Sequence, residues 1–131
     1  MTQDILSFNA VKDSEQGFPL QMKNTDGTDV GITFFVLGRH ADVVQKFSTK
    51  TFRKLQAEEA MAKKTGKDKI IDIDELREQN LESACIRVTG WEGVKQEFDV
   101  AILRTALKNN PHWQDQIFEA SNEDANFMKA S

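Results

Sequence analysis

Residues 18–38 read FPLQMKNTDGTDVGITFFVLG. Phe18, Leu20 and Met22 alternate with polar or neutral residues, the period-two pattern of a half-buried strand. Asn24, Thr25, Asp26 and Gly27 are turn formers, and Gly27 is free to take the positive φ of a tight turn. Val30, Ile32, Phe34 and Val36 then line one face of a second strand. Phe35 and Leu37 fall on its other face, so cover is expected on both sides. The stretch predicts a β-hairpin, and with it an α+β fold. Residues 1–16 place Ile5, Leu6, Phe8 and Val11 ahead of a polar run, and read either as an arm or as a short strand. Residues 17–131 read as one α+β domain dominated by helix.

Past Gly38 the period changes. Val44, Phe47, Thr51 and Leu55 fit one helical stripe over residues 41–64, with Phe52 beside it, continued by Ala57, Ala60, Met61 and Ala62. Asp42 suits its start, and Thr65 and Gly66 its end. After the polar KTGKDK loop, Asp72 reads as the N-cap of a second helix, with Asp74 and Glu75 in the first turn. Its stripe is Ile73, Leu76, Leu81, Ala84, Cys85 and Val88. Gly90 is expected to end that helix and Gly93 to free the following turn, leaving Trp91 at a joint between helices. There Trp91 is read as plugging the core, in preference to facing a partner. Asp99 caps a third helix through Val100, Leu103, Ala106 and Leu107, with Ile102 alongside. Pro111 opens a fourth, whose sticky side is Trp113, Ile117, Phe118 and Ala120. The expected order is a hairpin followed by four helices.

At 131 residues with nine Phe and two Trp, the chain has material for one core. The longest apolar run, ITFFVL, has strand length, and no run approaches the span of a bilayer. The N-terminus lacks a basic segment before an apolar one, so a cytosolic location is expected and no membrane partner. The net charge of −4 argues against a general nucleic-acid binder. Residues 46–69 are locally basic, with Lys46, Lys50, Arg53, Lys54, Lys63, Lys64, Lys67 and Lys69 interrupted by Glu58, Glu59 and Asp68. This is read as a solvated helix face and loop.

Catalytic and metal chemistry finds no residue set. His40 and His112 are the two histidines, and neither has a second ligand at helical or loop spacing. IDIDE at residues 71–75 lacks the glycine and distal glutamate of a calcium loop. No GxSxG, P-loop or GxGxxG occurs. Cys85 is single and reads as a small buried hydrophobe. The expectation is a protein that is not an enzyme and uses no cofactor. Core packing is the default for its aromatics, but tryptophan is also a common interface anchor. Phe127 and Met128 form an apolar pair on a polar C-terminal segment, poorly placed for a core. Trp113, Phe118, Phe127 and Met128 are therefore the candidate partner-binding residues.

The order of these elements resembles a known family. It runs from a hairpin with a TDGT turn, through a strand ending in VLGRHAD and a basic helix, to GWEGV at 90–94, NNPHWQDQIFEAS at 109–121, and Asn126 with Phe127 near the end. This is similar to the tail assembly chaperones of long-tailed phages, especially the siphophages with lambda-like and HK97-like tails, over roughly residues 17–128. The resemblance implies an assembly factor in the host cell cytoplasm, absent from the mature virion. It would bind the helical tape measure protein and keep it soluble. It would also help recruit tail tube subunits, in some relatives through a frameshifted C-terminal extension, and it would self-associate. A structural virion component, such as a minor tail or head–tail connector protein, is the alternative.

Overall fold

The computed structural model describes residues 2–66 and 72–128. The second half of the KTGKDK loop, with Lys67, Asp68 and Lys69, lies outside the described residues, as does Ile71. In place of a strand, the N-terminal stretch carries a 3-10 turn (Ile5–Ser7) and a short helix, α1 (Ala10–Ser14).

The hairpin forms as its pattern requires. Strands β1 (Phe18–Lys23) and β2 (Asp29–Val36) pair antiparallel, with Phe18 opposite Val36 and Leu20 opposite Phe34. In the turn, the Asp26 carboxylate accepts from the Thr28 amide at 3.0 Å and the Thr28 hydroxyl at 2.6 Å. Four helices follow: α2 (Asp42–Thr65), α3 (Ile73–Arg87), α4 (Val100–Asn109) and α5 (Pro111–Asn122). Asp72 and Asp99 cap α3 and α4 as their positions predict, each accepting from two amides of its first turn. Asp42 does not cap α2. It is the first helical residue, and its own amide donates to Glu15 Oε1 at 2.7 Å. A side chain from beyond α1 therefore supplies the acceptor that Ala41 lacks.

The GWEGV stretch corrects the sequence reading. Val88–Glu92 is a third strand, β3, antiparallel to β2 in a sheet of order β1-β2-β3. Trp91 lies opposite Phe34, and Gly90 opposite Phe35. The helical stripe Leu81, Ala84, Cys85 carries on through Val88 in sequence, which hides the change of structure. The open edge of β2 decides otherwise: pairing satisfies backbone groups that would be left over, and Val, Thr and Trp suit a strand. Gly90 is thus a strand residue, and α3 ends at Arg87. Gly93 follows the strand at φ +77°, and a Cβ there would overlap the Gly31 carbonyl oxygen.

The core lies between one face of the sheet and α3, α4 and α5. Met22, Phe34 and Val36 from the hairpin meet Leu81, Ala84, Leu103, Leu107, Trp113 and Ile117. Trp91 is half-buried at the edge of this layer, with ring centroids 6.1 Å from Phe34 and 5.0 Å from Phe98. Its Nε1 donates to the Gln96 carbonyl at 2.9 Å, so it fastens the loop after β3 onto the sheet. The reading of Trp91 as a core plug fits this packing, although its setting is a strand.

Between β2 and α2, the residues LGRHA take partners from the rest of the chain. The Leu37 amide donates to the Arg87 carbonyl (2.7 Å), the Gly38 amide to the Ser14 carbonyl (2.9 Å) and the Arg39 amide to the Ser121 carbonyl (3.0 Å). Ser121 Oγ donates to the Leu37 carbonyl at 2.8 Å and accepts from Arg87 Nε at 3.0 Å. Gly38 is where these elements come closest, since a Cβ there would lie 2.6 Å from Ser14 Oγ and 3.0 Å from the Phe127 ring.

Two glycine substitutions separate strain from collision. Gly27 and Gly93 both have positive φ, but a Cβ at Gly27 meets nothing within 4 Å. Gly27→Ala is expected to cost about 1 kcal/mol, the penalty of the left-handed conformation alone. Gly93→Ala adds the backbone clash and is expected to cost about 3 kcal/mol or more. Denaturant midpoints read the difference, and equal midpoints would contradict the placement of β3.

Candidate functional site

The four candidate partner residues separate. Trp113 is 8% exposed and packs edge-on against Phe34, with Nε1 donating to the Lys23 carbonyl at 3.2 Å. Gln116, one turn on, accepts from the Lys23 amide and donates to the Lys23 carbonyl, so α5 is fastened to the end of β1. Phe118 is half-buried with the Arg87 guanidinium 5.1 Å from its ring centre. Phe127 is also inside: it follows α5 in a 3-10 turn (Asp124–Phe127) and packs edge-on against Phe18 at 6.0 Å. Met128 alone of the four is open to solvent, at 72%. The expectation that Trp113 and Phe127 face a partner is corrected by their burial. A terminal apolar residue reaches the core here because the 3-10 turn folds back onto α1 and β1.

Arg87 is the one buried cation among the described residues. Its Nη1 donates to the carbonyl and hydroxyl of Ser83, at 2.8 and 2.7 Å, and Nε to Ser121. Burial pulls its pKa below the usual arginine value, but a guanidinium remains charged. No carboxylate pairs with it among the described residues. Its Nε and Nη1 donors go to neutral oxygens within the fold, which marks a structural role.

No three of His, Cys, Asp and Glu gather to hold a metal ion among the described residues. Cys85 is buried, and burial, helped by the Glu82 carboxylate, pushes its thiol up to about 11. His40 Nε2 lies 3.4 Å from Asp124, whose carboxylate is gripped by Arg39 through Nε at 2.9 Å and Nη2 at 2.6 Å. The cavities are open clefts. One of about 490 Å³ runs between β1 and α5 past Phe18, Leu20 and Glu119. Another, of about 370 Å³, lies between α2 and α3 over Phe47 and Thr51.

The unusual surface is the α2–α3 pair. Of the 24 residues in α2, Val44 alone is fully buried. Phe47, Thr51, Glu58 and Ala62 are half-buried, while Phe52 and Met61 are 59% and 60% exposed. In the first half of α3, Ile73 and Leu76 are also exposed, and burial begins in earnest at Leu81. The Lys54–Glu75 ion pair at 2.7 Å ties the two helices together beyond the core. By period Leu55, Ile73 and Leu76 belong to buried stripes, and the structure corrects this: all three are exposed, and the stripes run on where no other described element covers them. The missed signal is helix length, since α2 outruns the other elements. No helix among the described residues is long and apolar enough to cross a membrane.

Compared with known proteins, the chain matches no family model, no curated protein and no solved structure.

Two titrations test this description. With its pKa near 11, Cys85 should react with iodoacetamide at pH 8 on the order of a hundredfold more slowly in the folded chain than in denaturant. Equal rates would put the thiol at the surface. The hydrogen bonds from Arg39 hold the Asp124 pKa below its ordinary value of 3.8. A depressed carboxylate contributes stability that is present above 3.8 and is lost as pH falls through the folded value. Asp124→Asn should therefore flatten part of the decline in thermal midpoint below that pH, and an unaltered acid profile would remove the Arg39–Asp124 contact from the description.

Proposed function

We propose that the chain is a tail assembly chaperone of a long-tailed phage. It holds the tape measure protein soluble in the host cytoplasm, helps bring tail tube subunits to it, and performs no reaction. One observation carries this reading: a long helix and the start of its neighbour present Phe52, Leu55, Met61, Ile73 and Leu76 to solvent, beyond a body that has already closed its own core. An unassembled helical protein exposes apolar surface that aggregates in water. A projecting helix with apolar residues covers such surface by helix-to-helix contact. Weak single contacts repeated along a long partner add up through multivalency and still permit displacement by tube subunits. The resemblance in the GWEGV and NNPHWQDQIFEAS elements supports the same reading.

The test is co-expression with the long helical protein encoded nearby. The chain should raise that protein's soluble fraction several-fold. Phe52→Asp combined with Met61→Asp should abolish the effect while leaving the chain's thermal midpoint within a few degrees, because both residues are exposed. An insoluble partner with or without the chain, or the chain found as a component of purified virions, would contradict the proposal.

A further inference from the structure

Gly27 is the one glycine in the chain that follows an aspartate, and no glycine follows an asparagine. An Asp–Gly step is open to rearrangement because glycine has no Cβ to shield its amide nitrogen from the carboxyl carbon before it. Here the step stands at the tip of the β1–β2 hairpin. Asp26, Gly27 and Thr28 are all exposed, and nothing lies within 4 Å of where a Cβ on Gly27 would sit. Both groups that would react are held by hydrogen bonds. The Gly27 amide donates to the Asn24 carbonyl at 2.9 Å. The Asp26 carboxylate accepts from the Thr28 amide and hydroxyl on the same oxygen, Oδ1. That hydroxyl accepts in turn from Asn24 Nδ2 at 3.0 Å.

We propose that Asp26–Gly27 is a site of covalent backbone isomerisation and that Thr28 is the residue that holds it closed. In this reaction the Gly27 nitrogen attacks Asp26 Cγ. An N–Cγ bond forms, a Cγ–O bond breaks, and the carboxyl hydroxyl leaves as water with the amide proton. Water then opens the five-membered imide. Opening at the Asp26 main-chain carbonyl leaves the chain running through the side chain, as isoaspartate. The step needs a protonated carboxyl, since an ionised one has no hydroxyl to lose, and an amide free to give up its proton. Thr28 opposes the first, because its two donors favour the ionised carboxylate and lower its pKa. The Asn24 carbonyl opposes the second by holding the amide proton on nitrogen.

Isomerisation here would reach the core. The Asn24 amide donates to the Thr28 carbonyl at 2.8 Å, and Lys23 stands opposite Asp29 one step further on. Isoaspartate adds a backbone carbon inside this closure and lengthens the path by about 1.5 Å. Lys23 is the residue to which Trp113 and Gln116 fasten α5, so a sprung turn loosens that attachment.

Peptide mapping by mass spectrometry tests the proposal on the full chain, incubated at neutral pH either folded or in denaturant. Isoaspartate should form at residue 26 ahead of every other aspartate in denaturant, and at least about tenfold more slowly in the folded chain. Thr28→Ala should raise the folded rate several-fold at unchanged helicity, whereas Thr28→Ser, which keeps the hydroxyl, should stay slow. The isomerised fraction of wild type should melt below the intact chain. Equal rates folded and denatured, another aspartate reacting first in denaturant, or a Thr28→Ala chain as slow as wild type would overturn the proposal. Equal melting of the two fractions would overturn the link from the turn to α5.

Discussion

The segment LGRHA between β2 and α2 is the constraint on which the rest of the molecule depends. Its amides and carbonyls are claimed by residues far apart in sequence: Ser14 from the N-terminal side, Arg87 at the end of α3, and Ser121 near the end of α5. Buried polar groups must find partners, so each of these bonds fixes an element to the same short stretch. Arg87 joins two of them by donating to Ser121 from one side and Ser83 from the other. A buried unpaired cation costs stability unless its donors are used, and here neutral oxygens take the Nε and Nη1 donors. Outside this knot, Arg39 grips Asp124 and Glu15 holds the start of α2, so residues from before β1 and after α5 meet the same segment.

That knot also divides the molecule by burial. The sheet and α3–α5 are closed over a continuous apolar cluster with Trp113 inside it, and Phe127 is buried apart from that cluster against Phe18. Helix α2 leaves the knot with Ala41 and Val44 buried, and soon runs out of neighbours other than α3. Most of its stability beyond Ser48 must come from helix propensity, the Lys54–Glu75 pair and a shallow contact with α3. Exposed ion pairs contribute little. A helix of this kind is available to a partner because the fold does not need its outer side.

The hairpin, the four later helices and the caps Asp72 and Asp99 were legible in the sequence, because each rests on a local pattern. β3 was not. Val88–Glu92 has five residues and contains a glycine, and its reason to be a strand is the open edge of β2, which lies far away in sequence. The start of α2 was legible but its cap was not, since the acceptor at that start is Glu15 from far away in sequence rather than Asp42. For the candidate site, period predicted which residues share a face but not whether that face is covered. Phe127 looked exposed and is buried; Leu55, Ile73 and Leu76 looked buried and are exposed. Burial depends on what the fold places opposite, and that information lies in the knot rather than in any one helix.

Amide hydrogen exchange on the chain alone and mixed with the long helical protein proposed as its partner tests the division between closed body and open helix most directly. Bound chain should show new protection across residues 46–64 of α2, with exchange in β2 and α5 unchanged. New protection confined to α5 and the Asp124–Phe127 turn, with α2 unaffected, would contradict it.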